Sequence, residues 1–158
     1  MSIVGAVTML IGAACWASSG TDLWQALAGN QMETYLSQLP DVKRLLAVNT
    51  FFWSMGALLM VTALTLMANL CISNPELAQM VKVFSITGVS VAIVSFIIML
   101  SLAITTPSVE IATIIGWIGA RMDDIATTLI IGFSPLCLSI AGKADWIPAW
   151  LSVWGFLA

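Results

Sequence analysis

Long apolar runs separated by short polar segments dominate the pattern of this chain. The runs cover residues 2–19, 48–72, 81–104 and 125–142, and each is close to the roughly 20 residues that a helix needs to cross a bilayer. The pattern predicts an all-α fold, a polytopic transmembrane helical bundle with about four crossings. The first run has no positively charged segment before its apolar core, so we interpret it as a retained helix and not as a signal peptide.

The position of the fourth crossing depends on charge. The ionisable residues of the otherwise apolar region 108–141 are Glu110, Arg121, Asp123 and Asp124. A crossing over 111–131 would place three of them near mid-membrane, at roughly 2.5–3.5 kcal/mol each. A crossing over 125–142 keeps them at the interface and leaves 109–119 as a separate interfacial or re-entrant helix. Pro135 then lies inside the crossing, where neighbouring helices can compensate for its missing hydrogen bond.

The connections between the runs carry weaker helical patterns. Before the second run, apolar residues recur near helical spacing in two stretches, broken at Gly29 and at Pro40. They predict two short amphipathic helices on the membrane surface. Before the third run, Ser73 or Asn74 is placed to cap a helix that begins at the following proline.

The end of the sequence begins a further helix. Residues 146–158 contain a proline and three tryptophans, a composition typical of a helix start at headgroup level. The segment is too short to cross a bilayer. We therefore expect a partial fifth helix in a truncated chain, with residues 1–158 forming a single transmembrane domain.

Composition supports a membrane location and excludes other classes. The 158 residues are 60% hydrophobic and 8% charged, with a mean hydropathy of +1.04, whereas soluble domains have about 25% charged residues. Five basic and eight acidic side chains provide no basic stripe, so nucleic acid is not an expected partner. The expected partners include membrane lipids.

Three segments resemble a known family. They are LLAVNT at 45–50, NPELA at 74–78 and WIPAWLSVWG at 146–155. Together they are similar to the bacterial multi-pass membrane proteins grouped as DUF4386, a family of unknown function. The resemblance implies a location in the bacterial cytoplasmic (inner) membrane and longer relatives with further helices. It implies no enzymatic activity.

Candidate chemistry is sparse in this sequence. The chain has no histidine, which removes the commonest general base and excludes a serine–histidine–acid triad within it. We expect no enzymatic activity, no cofactor and no metal site. Six tryptophans fall near predicted interfaces, which favours an aromatic belt over a ligand cage; they are Trp16, Trp24, Trp53, Trp117, Trp146 and Trp150.

The charged residues of the fourth apolar region allow two interpretations. Ionisable groups at membrane depth mark ion or proton pathways, with Thr127, Thr128, Ser134 and Ser139 as candidate lining residues. Alternatively, the aspartates favour a helix start through its dipole, and Arg121 pairs with Asp124 or Glu110. We favour the second interpretation.

Small residues spaced four apart predict close helix contacts. The pairs are Ala13 and Ala17, Gly88 and Ala92, and Gly116 and Ala120. Such faces hold a bundle together or join it to other subunits. We expect an accessory protein that docks on a larger membrane complex or on copies of itself; the alternative is a channel, carrier or small-molecule sensor with a polar site between helices.

Overall fold

Helices form all the regular structure of the described part of the chain, residues 2–150 of a computed structural model. They are α1 (Ser2–Ser19), α2 (Leu23–Ala28), α3 (Met32–Ala68), α4 (Pro75–Thr105), α5 (Val109–Thr127), a π-helical turn (Thr128–Phe133) and α6 (Ser134–Gly142). The chain is an all-α helical membrane bundle, which confirms the predicted fold class.

Three helical stretches are long and apolar enough to cross a membrane. They are Met32–Ala68, Pro75–Thr105 and Val109–Gly142. The shorter α1 is an apolar helix of 18 residues, or about 27 Å at 1.5 Å per residue, slightly less than the roughly 30 Å hydrocarbon core.

Neighbouring helices pack in chain order, α1 on α3, α3 on α4, and α4 on α5 and α6. The end of α1, α2 and the start of α3 lie together at one end of the bundle, here called the α2 end. Its core includes Leu27, Met32, Leu39 and Leu102, all buried. A second core at the opposite end includes Val81 and other buried side chains of α3, α4 and α6.

Glycines set the contact between α1 and α3. An ideal Cβ at Gly5 would lie 3.2 Å from the carbonyl oxygen of Gly56, and one at Gly56 would lie 3.0 Å from the carbonyl oxygen of Gly5. A Cβ at Gly12 would lie 2.0 Å from Cδ1 of Trp53. Since Gly5 and Gly12 are two helical turns apart, two positions on one face of α1 lack side chains where it meets α3.

The predicted break at Pro40 is wrong, because α3 continues through it. A proline inside a helix leaves the carbonyl four residues earlier without its partner, but Pro40 itself is exposed. Around it, Tyr35 and Leu39 are buried in the core that contains Leu102. Tertiary packing therefore holds the turns on either side of the proline in one helix. The predicted break at Gly29 is confirmed.

The segment 109–119, predicted as a separate helix, is continuous with the fourth apolar run. Residues Val109–Gly142 form one helical stretch, in which the π-helical turn precedes Pro135. The wider turn is stabilised where the hydroxyl of Ser134 donates to the carbonyl of Leu129, at 2.8 Å. A π-turn of this kind accommodates an interruption of the regular hydrogen-bond ladder without ending the helix. The limits of the crossing within this stretch stay a prediction.

A hydrogen-bonded loop contact lies at the end opposite α2. Asp145 accepts from the backbone N–H of Ser73 at 3.0 Å and from its hydroxyl at 2.5 Å. Asn74 takes the N-cap position of α4, without a side-chain cap bond. The predicted helix 146–158 starts later than expected, at Ala149, and its last eight residues lie outside the described range.

Candidate functional site

The four charged residues singled out in the sequence do not form one cluster. Glu110 lies exposed in the first turn of α5, eleven residues before Arg121, or about 16 Å along the helix. Arg121 instead pairs with Asp124, with 3.1 Å between Nη1 and Oδ2. Both side chains are at least half exposed, and exposed pairs contribute only about 0–1 kcal/mol in water.

Two tryptophans hold the guanidinium of Arg121. Its Cζ lies 5.4 Å from the ring centroid of Trp24 and 5.1 Å from that of Trp117. The two rings meet edge to face at 5.9 Å. Arg121 therefore joins α2 to α5 through cation–π contacts, and its charge is balanced locally by Asp124.

Asp123 differs from its neighbour because it lines two cavities. The first has a volume of about 240 Å³ and is called the aromatic cavity here. It is lined by Trp16, Thr21, Asp22, Leu23, Trp24, Tyr35, Leu46, Asn49, Thr50, Trp53, Phe96, Met99, Leu100 and Asp123. Five elements contribute to it, from α1 through α5. Five aromatic rings and two carboxylates therefore surround one space between helices.

Two further cavities adjoin the aromatic cavity. The apolar cavity, of about 170 Å³, shares Trp53, Phe96 and Asp123 with it and is otherwise lined mainly by aliphatic side chains and methionines. The polar cavity, of about 190 Å³, shares Asp22 and Tyr35 with it and lies at the α2 end. The three spaces thus follow one another, from polar through aromatic to apolar, and carboxylates stand at both junctions.

The wall between the aromatic and apolar cavities is fixed by Trp53. Its indole N–H donates to the carbonyl of Met9 on α1, at 3.1 Å, and its ring meets that of Phe96 at 5.5 Å and 66°. Gly12 leaves the space that the indole occupies. The glycine face of α1 therefore determines where this ring lies.

The polar groups of the aromatic cavity include two carboxylates, an amide and three hydroxyls. Asp22 accepts from the backbone N–H of Gln25, at 3.1 Å, and so caps α2. The side-chain oxygen of Asn49 is buried and has no hydrogen-bond partner. A buried acceptor without a partner costs roughly 1–3 kcal/mol.

The hydroxyl residues proposed as pathway lining divide between two roles. Thr127 lines the apolar cavity. Thr128 donates to the carbonyl of Asp124 at 2.8 Å, and Ser139 to that of Pro135 at 2.7 Å. Buried Ser134 accepts from Ser85 of α4 at 3.0 Å. Thr128, Ser134 and Ser139 therefore make hydrogen bonds within or between helices, and they are absent from the lining of the cavities described above.

Four of the six small residues lie inside the bundle. Gly88, Ala92, Gly116 and Ala120 are buried, and a Cβ at Gly88 would lie 2.6 Å from Cγ1 of Ile130. On α1, by contrast, Ala13 is half-buried and Ala17 is exposed. Two of the three predicted pairs therefore make contacts inside the bundle. The pair on α1 is partly exposed on the outer surface.

The sequence did not predict several of the residues that line the cavity. Trp16, Trp24 and Trp53, for which the sequence predicts an aromatic belt, line the aromatic cavity. Asp22 lies in the segment interpreted as amphipathic surface, and Asn49 lies at the start of the second apolar run. Asn49 could have been recognised from the sequence as a candidate site residue, because an amide at the start of an uncharged apolar run needs a hydrogen-bond partner when it is buried.

Comparison of the chain with protein-family models, with curated proteins and with solved structures found no match. The similarity of three segments to the DUF4386 group therefore stays a prediction from the sequence. The fold and the cavities, taken from the chain itself, are the basis for assigning a role to this helical membrane bundle.

Proposed function

We propose that this protein is a multi-pass protein of the bacterial inner membrane that binds a small molecule in the aromatic cavity, as a carrier or sensor and without catalysis. The observation that carries the proposal is the cavity itself, which brings aromatic rings and a few polar groups from five helical segments and their connections to one space. Binding pockets are typically apolar and aromatic with a small number of placed polar groups.

The size of the cavities limits the ligand. Pockets for drug-sized ligands have volumes of roughly 300–1,000 Å³, whereas the aromatic cavity has about 240 Å³ and the apolar cavity beside it about 170 Å³. The proposed ligand is therefore small, about the size of one ring with a short chain. The bacterial location rests on the resemblance of the three sequence segments.

A cavity-filling variant tests this proposal. Thr50 lines the aromatic cavity, and Thr50→Phe would fill part of it. Thr62 lies exposed on the same helix, so Thr62→Phe is the matched control. The three proteins in lipid nanodiscs are titrated with small cationic, neutral and anionic aromatic compounds, and tryptophan fluorescence reports binding at the three indoles of the cavity.

We expect a saturable fluorescence change in the parent and in Thr62→Phe, and a loss of at least tenfold in affinity in Thr50→Phe. A thermal unfolding midpoint for each variant verifies that it is folded. Equal binding by all three proteins, or no saturable binding of any compound to the parent, would refute the proposal.

A second candidate function is that of an accessory subunit. The outer face of α1 favours it, because Ala17 is exposed and Ala13 half-buried, which permits another helix to approach closely. Sizing of the gently extracted protein in native detergent tests this role. We expect a dimer or a larger assembly with other membrane subunits, and Ala17→Leu to weaken it. A stable monomer without a co-purifying partner would contradict it.

A further inference from the structure

We infer that the ligand of the aromatic cavity is a protonated amine, a monovalent organic cation with one or more N–H donors and a small apolar body. This inference rests on the proposed function, since it specifies the substrate class of the same cavity. Charge, ring chemistry, an unpartnered acceptor and the shape of the adjoining space each support it.

Charge is the first argument. The carboxylates of Asp22 and Asp123 line the cavity, and its lining in the described residues includes no lysine or arginine. Arg121, two residues from Asp123, is engaged outside this lining by Asp124 at 3.1 Å and by two indoles. An anionic ligand would meet like charge at both carboxylates, whereas a cation would be attracted to them.

The rings support the same sign of charge. A cation is attracted to the face of an aromatic ring within about 6 Å of its centroid, and tryptophan is the best such partner. Trp16, Trp24, Trp53, Tyr35 and Phe96 line the cavity. The Cζ of Arg121 lies 5.4 Å from the ring centroid of Trp24, so one ring of this wall already contacts a cation of the chain itself.

The side-chain oxygen of Asn49 specifies the kind of cation. It is buried and without a hydrogen-bond partner, and Asn49 lines the cavity, so a ligand whose N–H group reaches this oxygen would satisfy it. A quaternary ammonium has no N–H and would leave this oxygen unpaired. The cavity should therefore prefer a primary or secondary ammonium over its trimethylated analogue.

The adjoining apolar cavity indicates where the rest of the ligand lies. Asp123 lines both spaces, at their junction with Trp53 and Phe96. An ammonium group placed at this carboxylate has acceptors and rings on one side and aliphatic side chains on the other. A short apolar substituent on the amine would therefore lie in the apolar cavity.

Four probes of similar skeleton separate these features. They are phenethylammonium, phenethyl-trimethylammonium, 2-phenylethanol and 3-phenylpropanoate, each titrated into the protein in nanodiscs of neutral lipid. We expect phenethylammonium to bind at least tenfold more tightly than the alcohol or the carboxylate, and several-fold more tightly than the trimethylated cation. Thr50→Phe, which fills part of the cavity, is the background variant, and the signal it retains is attributed to partitioning of the probes into the lipid.

Charge-neutralising variants identify the groups responsible. Asp123→Asn should lower the affinity for phenethylammonium at least tenfold and leave that for the alcohol unchanged. Asp22→Asn is a second variant that retains an oxygen for the cap of α2, so the test survives if one variant fails to fold. Asp41→Asn, at an exposed position of α3, is the matched control. Asn49→Leu should abolish the preference for the primary over the trimethylated cation.

The outcomes separate the inference from the proposed function. If the alcohol or the carboxylate binds at least as tightly as the amine, and Thr50→Phe blocks that binding, the cavity is a site but the inference about cations is wrong. If Asp123→Asn and Asp22→Asn both bind the amine as the parent does, the inference is also wrong. If Thr50→Phe does not reduce the binding of any probe, both the proposed function and the inference about cations are wrong.

Discussion

Replacement of Gly56 by alanine tests whether the glycine face holds α1 against α3. The new Cβ would lie 2.3 Å from Cγ of Met9, 3.0 Å from the carbonyl oxygen of Gly5 and 3.1 Å from the backbone nitrogen of Met9. The methionine side chain can rotate away from the first of these contacts. The other two involve backbone atoms, so relief requires α1 itself to move.

The magnitude follows from two opposing effects. Overpacking of a close contact costs typically 1–3 kcal/mol. Alanine recovers up to about 1 kcal/mol, because it is the better helix former. We therefore expect Gly56→Ala to lower the free energy of unfolding by up to about 2 kcal/mol.

Gly132 offers the matched control. A Cβ built there has no atom within 4 Å, and the residue lies in the π-helical turn of the third long helical stretch. Gly132→Ala should therefore be neutral or stabilising by up to about 1 kcal/mol. The difference between the two variants isolates the helix contact from the change in helix propensity.

Reversible unfolding by sodium dodecyl sulfate in mixed micelles, followed by far-ultraviolet circular dichroism, measures both variants. We expect the transition of Gly56→Ala at a lower mole fraction of denaturing detergent than the parent, and that of Gly132→Ala at the same or a higher one. A Gly56→Ala protein as stable as the Gly132→Ala protein would show that α1 is not held at this distance.

Two further changes address buried and exposed hydrogen bonds. Ser134→Ala removes a buried hydroxyl and its hydrogen bond to the carbonyl of Leu129. We expect it to lower the free energy of unfolding by about 0.5–2 kcal/mol in the same assay. The control Ser90→Ala, at an exposed position of α4, should lower it less. Hydrogen bonds from the hydroxyl and backbone N–H of Ser73 lower the pKa of Asp145. Because the pKa of Asp145 is lower in the folded state, its ionised carboxylate stabilises the folded protein at pH values above the unfolded pKa of about 3.9. This stabilisation is lost as the pH falls through the pKa of the folded state. The parent should thus lose stability on acidification to a greater extent than Asp145→Asn, and identical pH profiles of the unfolding midpoint would contradict the assignment.

The sequence predicts the helices well where one physical requirement dominates. A run of apolar residues such as 81–104 must satisfy its backbone internally in lipid, and helix is the available solution for a single run. The structure extends that run to Pro75–Thr105, because Pro75 suits the first helical turn. Segments such as the one around Pro40 were mispredicted, since local signals favoured a break and the buried contacts of Leu39 in the α2-end core decide otherwise.

The site could not be assembled from the sequence, because its members are brought together only by the packing of five elements. Trp16 and Trp53 are 37 positions apart, and tryptophan has the same qualities at a membrane interface and in a binding site, a large apolar ring with one polar N–H. What distinguishes the two roles is the partner of that N–H. For Trp53 it is a backbone carbonyl of α1, which places the indole between helices.

The glycine face of α1 and the aromatic cavity depend on one another. Gly12 allows the indole of Trp53 to lie against α1, since a Cβ there would collide with the ring, and this ring forms the wall that Phe96 and Asp123 share with both cavities. A bundle designed only for stability would fill such spaces, because cavities cost about 24 cal/mol per Å³ in a packed core. Here the close helix contact and the open space meet at the same ring. The glycines therefore position the wall of the cavity as well as holding α1 on the bundle.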